Sequence, residues 1–471
     1  MKKIFSRLDW SYFYAFLSES TLALTFFFYS ITGRILGPEK YESFAAAAAL
    51  GAILSLFIQF GLPVLLQREV AANPEEGSKL TLEFLVIEVL NSILVLIVLF
   101  PIAKILGFEG NGLIVCYVVV LAEVCRAAKM TLRGVFKGFG WFRSESIAVA
   151  LERSLVYALA CLVLFLTQNL IFVVATIAIL RSIDIVALIY YLNGKVDIKS
   201  SIDVNKLRQS LVLAYPFAVS GILWILYYQV DIVMLKGMAP SGEAGFYSAS
   251  YRIIEIFLAL PRVVFQVIFT RFARCHAHSP EQLPEQVYKA NRLFITLVLP
   301  VCLGAGFLQR TLVHLIFGDA FLPSIPSLAI LIPSLGISMF GNLAYRFLQA
   351  TGQEKSLPPL LLVTAVFNVI LNAILIPHLG GVGAAYATLL SEAMLCFLGL
   401  IFMIRAGHTR VGKLTGIISL LSLTAAACPS LILSGISPIF GVALLAASIF
   451  GMAFVMRPNF FLGEAAAFNQ E

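Results

Sequence analysis

The chain has 471 residues, of which 60% are hydrophobic and only 13% are charged, with a formal net charge of +7. Soluble domains typically carry about 25% charged residues, so these charges are too few to cover a water-facing surface. Apolar stretches of the roughly 20 residues that a membrane-spanning helix needs recur along almost the whole length. The composition excludes a soluble domain and predicts an all-α integral membrane protein.

In chain order we predict about fourteen transmembrane helices, the first of which is a retained span rather than a cleaved signal peptide. They lie near residues 12–33, 44–66, 81–103, 112–132, 145–167, 170–192, 210–235, 245–268, 291–315, 326–348, 357–377, 382–404, 414–434 and 437–456.

In this topology most Lys and Arg residues fall on one side of the membrane. Of the 33 Lys and Arg residues, 24 lie at the N-terminus, in even-numbered loops or in the C-terminal tail, including Lys129, Arg133 and Lys137 after span four. The odd-numbered loops hold four, namely Arg34, Lys40, Lys104 and Lys236. Because Lys and Arg accumulate on the cytoplasmic side of a membrane, we expect both termini to face the cytoplasm.

The most polar connection, NGKVDIKSSIDVNKLRQS at 193–210, follows the sixth span. It predicts an N-terminal six-helix lobe at 1–193, a cytoplasmic inter-lobe linker at 194–209 and a C-terminal six-helix lobe at 210–405. Two additional helices and a short cytoplasmic tail would then occupy 406–471. A weak echo between LGPEKYESFAAAAALGAIL and MAPSGEAGFYSASYRIIEIF suggests an internal repeat, which is the usual build of secondary transporters.

The sequence shows no sign of an enzyme active site. GxxxxGK[ST], HExxH and GxSxG are all missing, and the predicted outer loops are too short for a catalytic domain. CHAH at 275–278 could bind zinc with outside help, but a solvated loop end is the better interpretation. We expect no catalytic residues, no metal site, no bound cofactor and no enzyme activity.

Charged residues inside spans cost at least about 2.5–3.5 kcal/mol each, so each one needs a partner or a function. Three pairs have the i, i+3 spacing that places opposite charges together on one helix: Glu123 with Arg126, Arg181 with Asp184, and Arg252 with Glu255. Structural pairing is the preferred interpretation of all three, and a functional role is the alternative.

Other charged residues have no opposite charge three or four positions away; among them are Glu19, Arg153, Asp231, Arg262 and Glu392. Lipid exposure is excluded by its cost, so they should face the bundle interior, a water-filled cavity or a helix end. Asp231 lies in the outer half of span seven, where a carboxylate could bind and release a proton or Na⁺. A hydrogen bond to a neighbouring helix explains Asp231 equally well.

Three asparagines, Asn342, Asn368 and Asn372, add polar sites in spans ten and eleven. Asn368 and Asn372 are four residues apart and therefore share a helix face. Such residues commonly make hydrogen bonds between helices in membranes, so we interpret them as packing contacts first and cavity lining second.

Three blocks carry a family resemblance. VDIVMLKGMAPSGEAGFYSASYRIIE looks like the seventh-to-eighth helix region of polysaccharide-unit flippases of the multidrug/oligosaccharidyl-lipid/polysaccharide (MOP) exporter superfamily. GRILGPEKYESFAAAAAL with GLPVLLQREVA is similar to that family's first-to-second helix region. FLQATGQEKSLPPLLLVTAVFNVILNAILIPHLGGVGAAYATLLSE resembles its tenth-to-twelfth helices. The blocks lie in the family's order and together span nearly the whole chain.

The resemblance implies two six-helix lobes around a central cavity that work by alternating access. The cargo would be an undecaprenyl-pyrophosphate-linked oligosaccharide repeat unit, flipped from the cytoplasmic to the periplasmic leaflet of a bacterial inner membrane. Polysaccharide polymerase and glycosyltransferases would be partners, and H⁺ or Na⁺ would be the coupling ion. Glu19 in helix one, with no mid-span Arg there, departs from the peptidoglycan-precursor flippases, whose first helix is basic.

The resemblance also implies site residues. The aspartate of the VDIVML motif is Asp231, which with Glu19 and Glu392 is a candidate for ion coupling or gating. The family's cavity is cationic, and its candidates here are Arg34, Arg153, Arg181, Asp184, Arg252, Glu255 and Arg262.

Two other classes stay open. An ion-coupled multidrug or small-cation exporter of the same fold would have an acidic or aromatic cavity, whereas a membrane glycan polymerase would need a sizeable catalytic loop. If Arg153, Arg181, Arg252 and Arg262 point inward they outnumber the inward acids, which favours an anionic cargo. Pairing these arginines with acids would undo that argument.

Overall fold

The structure is a computed structural model that describes residues 21–195, 204–353 and 356–405. These residues form helices joined by short turns, and no strand occurs among them. The α-helices are α1 Leu22–Gln59, α2 Leu62–Ala72, α3 Pro74–Ile105, α4 Gly110–Gly138, α5 Phe142–Thr167, α6 Leu170–Asn193, α7 Val204–Met238, α8 Glu243–His278, α9 Leu283–Ile316, α10 Ile325–Ala350 and α11 Leu357–Arg405. The all-α membrane fold class is confirmed.

Helix α1 is two spans joined by a sharp break at Gly37, whose φ of 76° suits glycine. The rings of Phe28 and Phe44 are only 5.8 Å apart. Sixteen residues of continuous helix would separate them by about 24 Å. The chain therefore folds back on itself at Gly37, and Pro38 follows at the start of the second arm.

Helix α11 breaks in the same way at Gly380, with a φ of 55°. Beyond the break, a Cβ on Gly383 would lie 2.5 Å from the carbonyl oxygen of Leu375, so the two arms are in backbone contact. Both hairpins match the predicted boundaries between spans one and two and between spans eleven and twelve. The predicted spans 414–434 and 437–456 lie outside the described residues.

Seven of the described helices are long and apolar enough to cross a membrane by length and composition alone. The hairpin helices α1 and α11 are among them; α11 holds two predicted spans, and α1 holds the larger part of two. Helix α4 is not, because Glu123, Arg126, Lys129, Arg133 and Lys137 interrupt its apolar sequence.

The contacts divide the chain into two compact units, 1–245 and 246–471. In unit 1, α4 packs on α1, α2, α3 and α6, and α7 packs on α1 and α2. The contact with α7 is close: a Cβ on Gly61, where α1 ends, would lie 2.7 Å from the carbonyl oxygen of Ala214. The predicted lobe boundaries at 193 and 210 stay a prediction.

Unit 2 has helix α10 at its centre, with α9 and α11 packed against it. Most side chains of α10 are buried, including Phe340 and Phe347. The ring of Phe272 on α8 meets that of Phe347 at 5.7 Å. Tyr247, at the start of α8, is fully buried and its hydroxyl lies 2.9 Å from that of Thr388 on α11.

Candidate functional site: a buried charge ladder and an outer ion pair in unit 1

Four cations of α4, Arg126, Lys129, Arg133 and Lys137, follow one another at spacings of three, four and four residues. This spacing places them on one face of the helix. The sequence placed all four with the cytoplasmic loop after span four. The loop assignment is wrong because α4 continues to Gly138, and the cytoplasmic side stays a prediction. Lys129 is only 6% exposed. These four cations and their acidic partners are called the charge ladder below.

At the N-terminal end of the ladder, Glu123 is held between two arginines. Arg126 donates to Glu123 Oε2 from its own helix, as predicted. Arg181 on α6 donates from Nη1 to Glu123 Oε1 at 2.8 Å and to the carbonyl oxygen of Ala122 at 3.0 Å. Arg126 also donates to the hydroxyl of Ser55 on α1 at 3.1 Å. Glu123 and its two arginines thereby link α4, α6 and α1.

One turn further along, Lys129 Nζ lies 2.7 Å from Glu152 Oε1 on α5 and 3.8 Å from Asp184 Oδ2 on α6. The predicted pairing of Arg181 with Asp184 is therefore wrong. The two residues share α6, but each turns to a different residue of α4: Arg181 to Glu123, and Asp184 to Lys129.

The last rung is the guanidinium of Arg133, which donates from Nε to Glu145 Oε1 at 2.8 Å, with Lys137 Nζ 3.9 Å from the same oxygen. The sequence missed the ladder as a unit. The signal that could have found it was the spacing of the four cations, which matches a helix face rather than a loop.

The cavities along the ladder are small. One of about 40 Å³ is lined by Glu123, Arg181, Tyr29 and Tyr157 among others. Another of about 10 Å³ lies beside Lys129, Glu152 and Asp184. A buried water needs roughly 10–15 Å³ of such volume, so these spaces suit one to a few waters and no sugar ring.

A second ion pair joins α1 to the end of α7. Glu42 is 2% exposed, and its Oε1 accepts a hydrogen bond of 2.8 Å from Lys236 Nζ. Its other oxygen accepts from the backbone N–H of Gly242, just before α8. Lys236 belongs to the sparse basic residues of the odd-numbered loops, so the predicted topology places this contact at the outer side. Glu42, Lys236 and Gly242 are called the outer latch below.

The predicted acidic candidates are buried where the structure describes them. Asp231 on α7 is 3% exposed and Glu392 on α11 is 5% exposed, whereas Glu19 lies outside the described residues. Glu88 on α3 is a further buried carboxyl, and its Oε1 accepts 2.6 Å from the hydroxyl of Thr131 on α4. The structure therefore keeps several acids away from lipid, as expected for charges inside spans.

The candidate arginines differ in their surroundings. Arg34 is exposed, and Arg153 donates to the Thr21 hydroxyl at 3.2 Å. Arg252 donates to Glu255 at 2.7 Å, which confirms the predicted i, i+3 pair. The side chain of Arg262 lies outside the described part of the chain. Since Arg181 and Arg252 both have acidic partners, an unpaired excess of inward arginines no longer argues for an anionic cargo.

The three asparagines lie in the helices where they were predicted. Asn372 Nδ2 donates to Asn368 Oδ1 at 3.0 Å, so these two residues share a face and contact each other. Asn342 Nδ2 donates to the carbonyl oxygen of Ser338 on its own helix at 2.8 Å. Each of these two hydrogen bonds joins residues of the same helix, the first in α11 and the second in α10.

Comparison with solved structures shows which fold the chain has. The fold is similar to that of an inward-facing multidrug resistance MATE family transporter of the MOP superfamily. The TM-score is 0.69 at 15% identity, covering 84% of this chain and 96% of that one. It is equally similar to the lipid II flippase MurJ in an inward closed conformation, with a TM-score of 0.69 at 14% identity, covering 96% and 99% of the two chains. The chain is an integral membrane protein with the MOP transporter fold.

The family follows from the sequence. The model of the family described as "Polysaccharide biosynthesis protein" matches residues 12–276, more than half of the chain. The chain belongs to this family. A probable low-salt glycan biosynthesis flippase, Agl15 of Haloferax volcanii, is 23% identical over 389 residues, which cover 79% of this chain and 77% of that protein.

Proposed function

We propose that the chain is a flippase that moves undecaprenyl-pyrophosphate-linked oligosaccharide repeat units from the cytoplasmic to the periplasmic leaflet by alternating access. Membership of the polysaccharide biosynthesis family and similarity to a probable glycan biosynthesis flippase support the cargo class. The sidedness rests on the asymmetry of Lys and Arg between loops, with both termini in the cytoplasm. Glycosyltransferases would supply the cargo and a polymerase would consume it.

The observation that carries the mechanism is the outer latch. Glu42 on α1 accepts from Lys236 and from the amide of Gly242, so one carboxylate ties α1 to the connection between α7 and α8. In the proposed cycle, outward opening separates these elements, and both bonds to Glu42 are then exchanged for water. Such an exchange costs a moderate net free energy, because a hydrogen bond to a charged group gains about 1.5–3 kcal/mol over its hydrated partners. The latch would therefore hold the outer side closed yet remain reversible.

The latch predicts that a covalent link across it stops transport. In a chain whose seven cysteines are replaced, Glu42→Cys and Lys236→Cys would be joined by a short bifunctional thiol reagent that can be cleaved by reduction. We expect lipid-linked glycan to accumulate on the cytoplasmic face of cells that depend on this copy, and to clear after reduction. Each single cysteine variant, treated identically, is the control. Continued flipping with the link complete would contradict alternating access at this latch.

The cargo class has its own test. Cells lacking the gene would be compared with cells carrying an intact copy, and lipid-linked glycan would be measured on each side of the membrane. Intermediates stranded on the cytoplasmic face, and cleared by the intact copy, are the expected result. Normal glycan in both leaflets would refute the proposed cargo.

A second function is favoured by one observation. Because Arg181 and Arg252 are paired with Glu123 and Glu255, these two arginines give no preference for an anionic cargo, and the fold is similar to that of a multidrug transporter. An ion-coupled exporter of small cations would leave glycan normal in the deletion and make cells sensitive to cationic dyes. In either function Asp231, Glu392 and Glu19 are the proposed coupling or gating acids, and H⁺ or Na⁺ is the ion.

A further inference from the structure

A groove of about 490 Å³ runs between α5 and α6 on the face of unit 1. Its walls are the exposed apolar side chains of Ile147, Leu151 and Leu155 on α5 and of Ile183 and Ala187 on α6. Both helices are long and apolar enough to span a membrane. A concave apolar surface on such helices fits a hydrocarbon chain.

The length of the groove matches one leaflet. Its lining runs from Ser144 to Val156 on α5 and from Leu180 to Tyr191 on α6. At 1.5 Å per residue these segments are about 18 Å and 16 Å long. Half of a hydrocarbon core of about 30 Å is about 15 Å. The groove therefore accommodates a chain that belongs to a single leaflet.

One end of the groove is polar and basic. Ser144 at the start of α5 and Tyr191 near the end of α6 bring their hydroxyls to 3.3 Å. Lys195 Nζ lies 2.6 Å from the Tyr191 hydroxyl and 5.5 Å from the centre of the Trp141 ring. Trp and Tyr rings with a Lys ammonium are typical of the water interface of a membrane. Within the described ranges 21–195, 204–353 and 356–405, no carboxylate lies within ion-pair distance of Lys195.

The acids on the floor of the groove face a cation of the charge ladder. Glu152 and Asp184 lie there, with Lys129 Nζ of α4 2.7 Å from Glu152 and 3.8 Å from Asp184, so this ammonium balances one of the two carboxylates. The basic end and the apolar walls of the groove complement the negative head group and the apolar chain of an anionic lipid. A chain in the groove would place its phosphate beside the ammonium of Lys195 and the hydroxyls of Tyr191 and Ser144.

We propose that the groove between α5 and α6 binds one chain of an anionic membrane phospholipid, with its phosphate held by Lys195. The site is separate from the proposed glycan cargo and does not depend on it. Trp141 stands at the mouth of the groove and reports on occupancy, because brominated lipid chains quench the fluorescence of a nearby indole.

The test uses the full chain with Trp10→Phe and Trp224→Phe, so that Trp141 alone fluoresces, in vesicles of phosphatidylcholine with increasing phosphatidylglycerol. Either lipid is brominated in turn, and the ratio of their affinities at Trp141 is measured. We expect phosphatidylglycerol to be preferred about fivefold, since one basic residue near an anionic surface contributes about 1 kcal/mol. Lys195→Ala should bring the ratio close to one, and Lys195→Arg should keep the preference.

Two variants distinguish lipid binding in the groove from attraction of anionic lipid by the general surface charge. Lys79→Ala removes another exposed lysine assigned to the same side and should leave the ratio unchanged. Ala187→Phe fills the groove and should abolish the preference although Lys195 is intact. Equal affinities in the parent chain would overturn the proposal, as would a preference that survives Lys195→Ala or Ala187→Phe. Quenching by both lipids that weakens as the protein-to-lipid ratio rises would show that a second copy covers the groove, and would also overturn it.

Discussion

Removing the positive charge of Lys129 should destabilise unit 1 more than any change at an exposed pair. Lys129 and Glu152 have side chains that are each only 8% exposed, and Asp184 depends on the same ammonium. Lys129→Met preserves the length of the side chain but leaves two carboxylates without a cation. Breaking a buried ion pair from one side costs about 3–5 kcal/mol. Since 1 kcal/mol corresponds to roughly 2–4 °C for a unit of this size, we expect Tm to fall by about 6–20 °C.

The assay is thermal unfolding of the purified protein in detergent, followed by size-exclusion chromatography with fluorescence detection. Lys129→Met with Glu152→Gln should recover part of the loss, because one of the stranded carboxylates is then neutral. Arg68→Met is the matched control: Arg68 is exposed and its partner Glu69 is 34% exposed, and surface pairs contribute about 0–1 kcal/mol. A Tm for Lys129→Met within about 2 °C of the parent, or no recovery in the double variant, would refute the role assigned to the ladder.

Three further predictions concern packing, topology and coupling. Gly134→Ala should lower Tm although alanine favours helices, because its Cβ would lie 2.8 Å from a backbone carbonyl of α2. Gly112→Ala is the control: the nearest atom to its Cβ would be 3.8 Å away, so it should be neutral or stabilising. Burial raises the pKa of the Cys275 thiol. In a chain whose only cysteine is Cys275, the rate of maleimide labelling should therefore still be rising above pH 9. A membrane-impermeant maleimide should label this thiol only from the cytoplasmic side. Asp231→Asn should abolish flipping while the protein remains inserted and folded, and normal surface glycan in that variant would remove Asp231 from the mechanism.

Much of the helical framework could be predicted from apolar run lengths and turn residues. The breaks at Gly37 and Gly380 fall between predicted spans. Each break requires a positive φ, and glycine is the residue that adopts one at little cost. Local pairs were also predictable: Glu123–Arg126 and Arg252–Glu255 are three residues apart and meet on their own helices. These features depend on residues that are close in sequence.

The ladder could not be predicted in full, because its partners are distant in sequence. The residues that neighbour Lys129 in the sequence do not indicate that Glu152 and Asp184 lie beside it in the structure. Without them, a lysine at the end of an apolar run looks like the start of a cytoplasmic loop. The same limit applies to the outer latch, where Glu42 and Lys236 are 194 positions apart. Long-range pairing of charges follows from packing, which a single sequence does not display.

The pairings also discriminate between the candidate cargo-binding arginines. Arg181 is 12% exposed and holds Glu123, which is equally buried, so exchanging that partner for a cargo phosphate would strand a carboxylate at a cost of about 3–5 kcal/mol. Arg252 pairs on its own helix with Glu255, whose side chain is 30% exposed and can be rehydrated. Such a pair contributes only about 1 kcal/mol or less. Of these two arginines, Arg252 is therefore the one that we expect to exchange its acid for the pyrophosphate of the proposed cargo, whereas Arg181 ties α6 to α4.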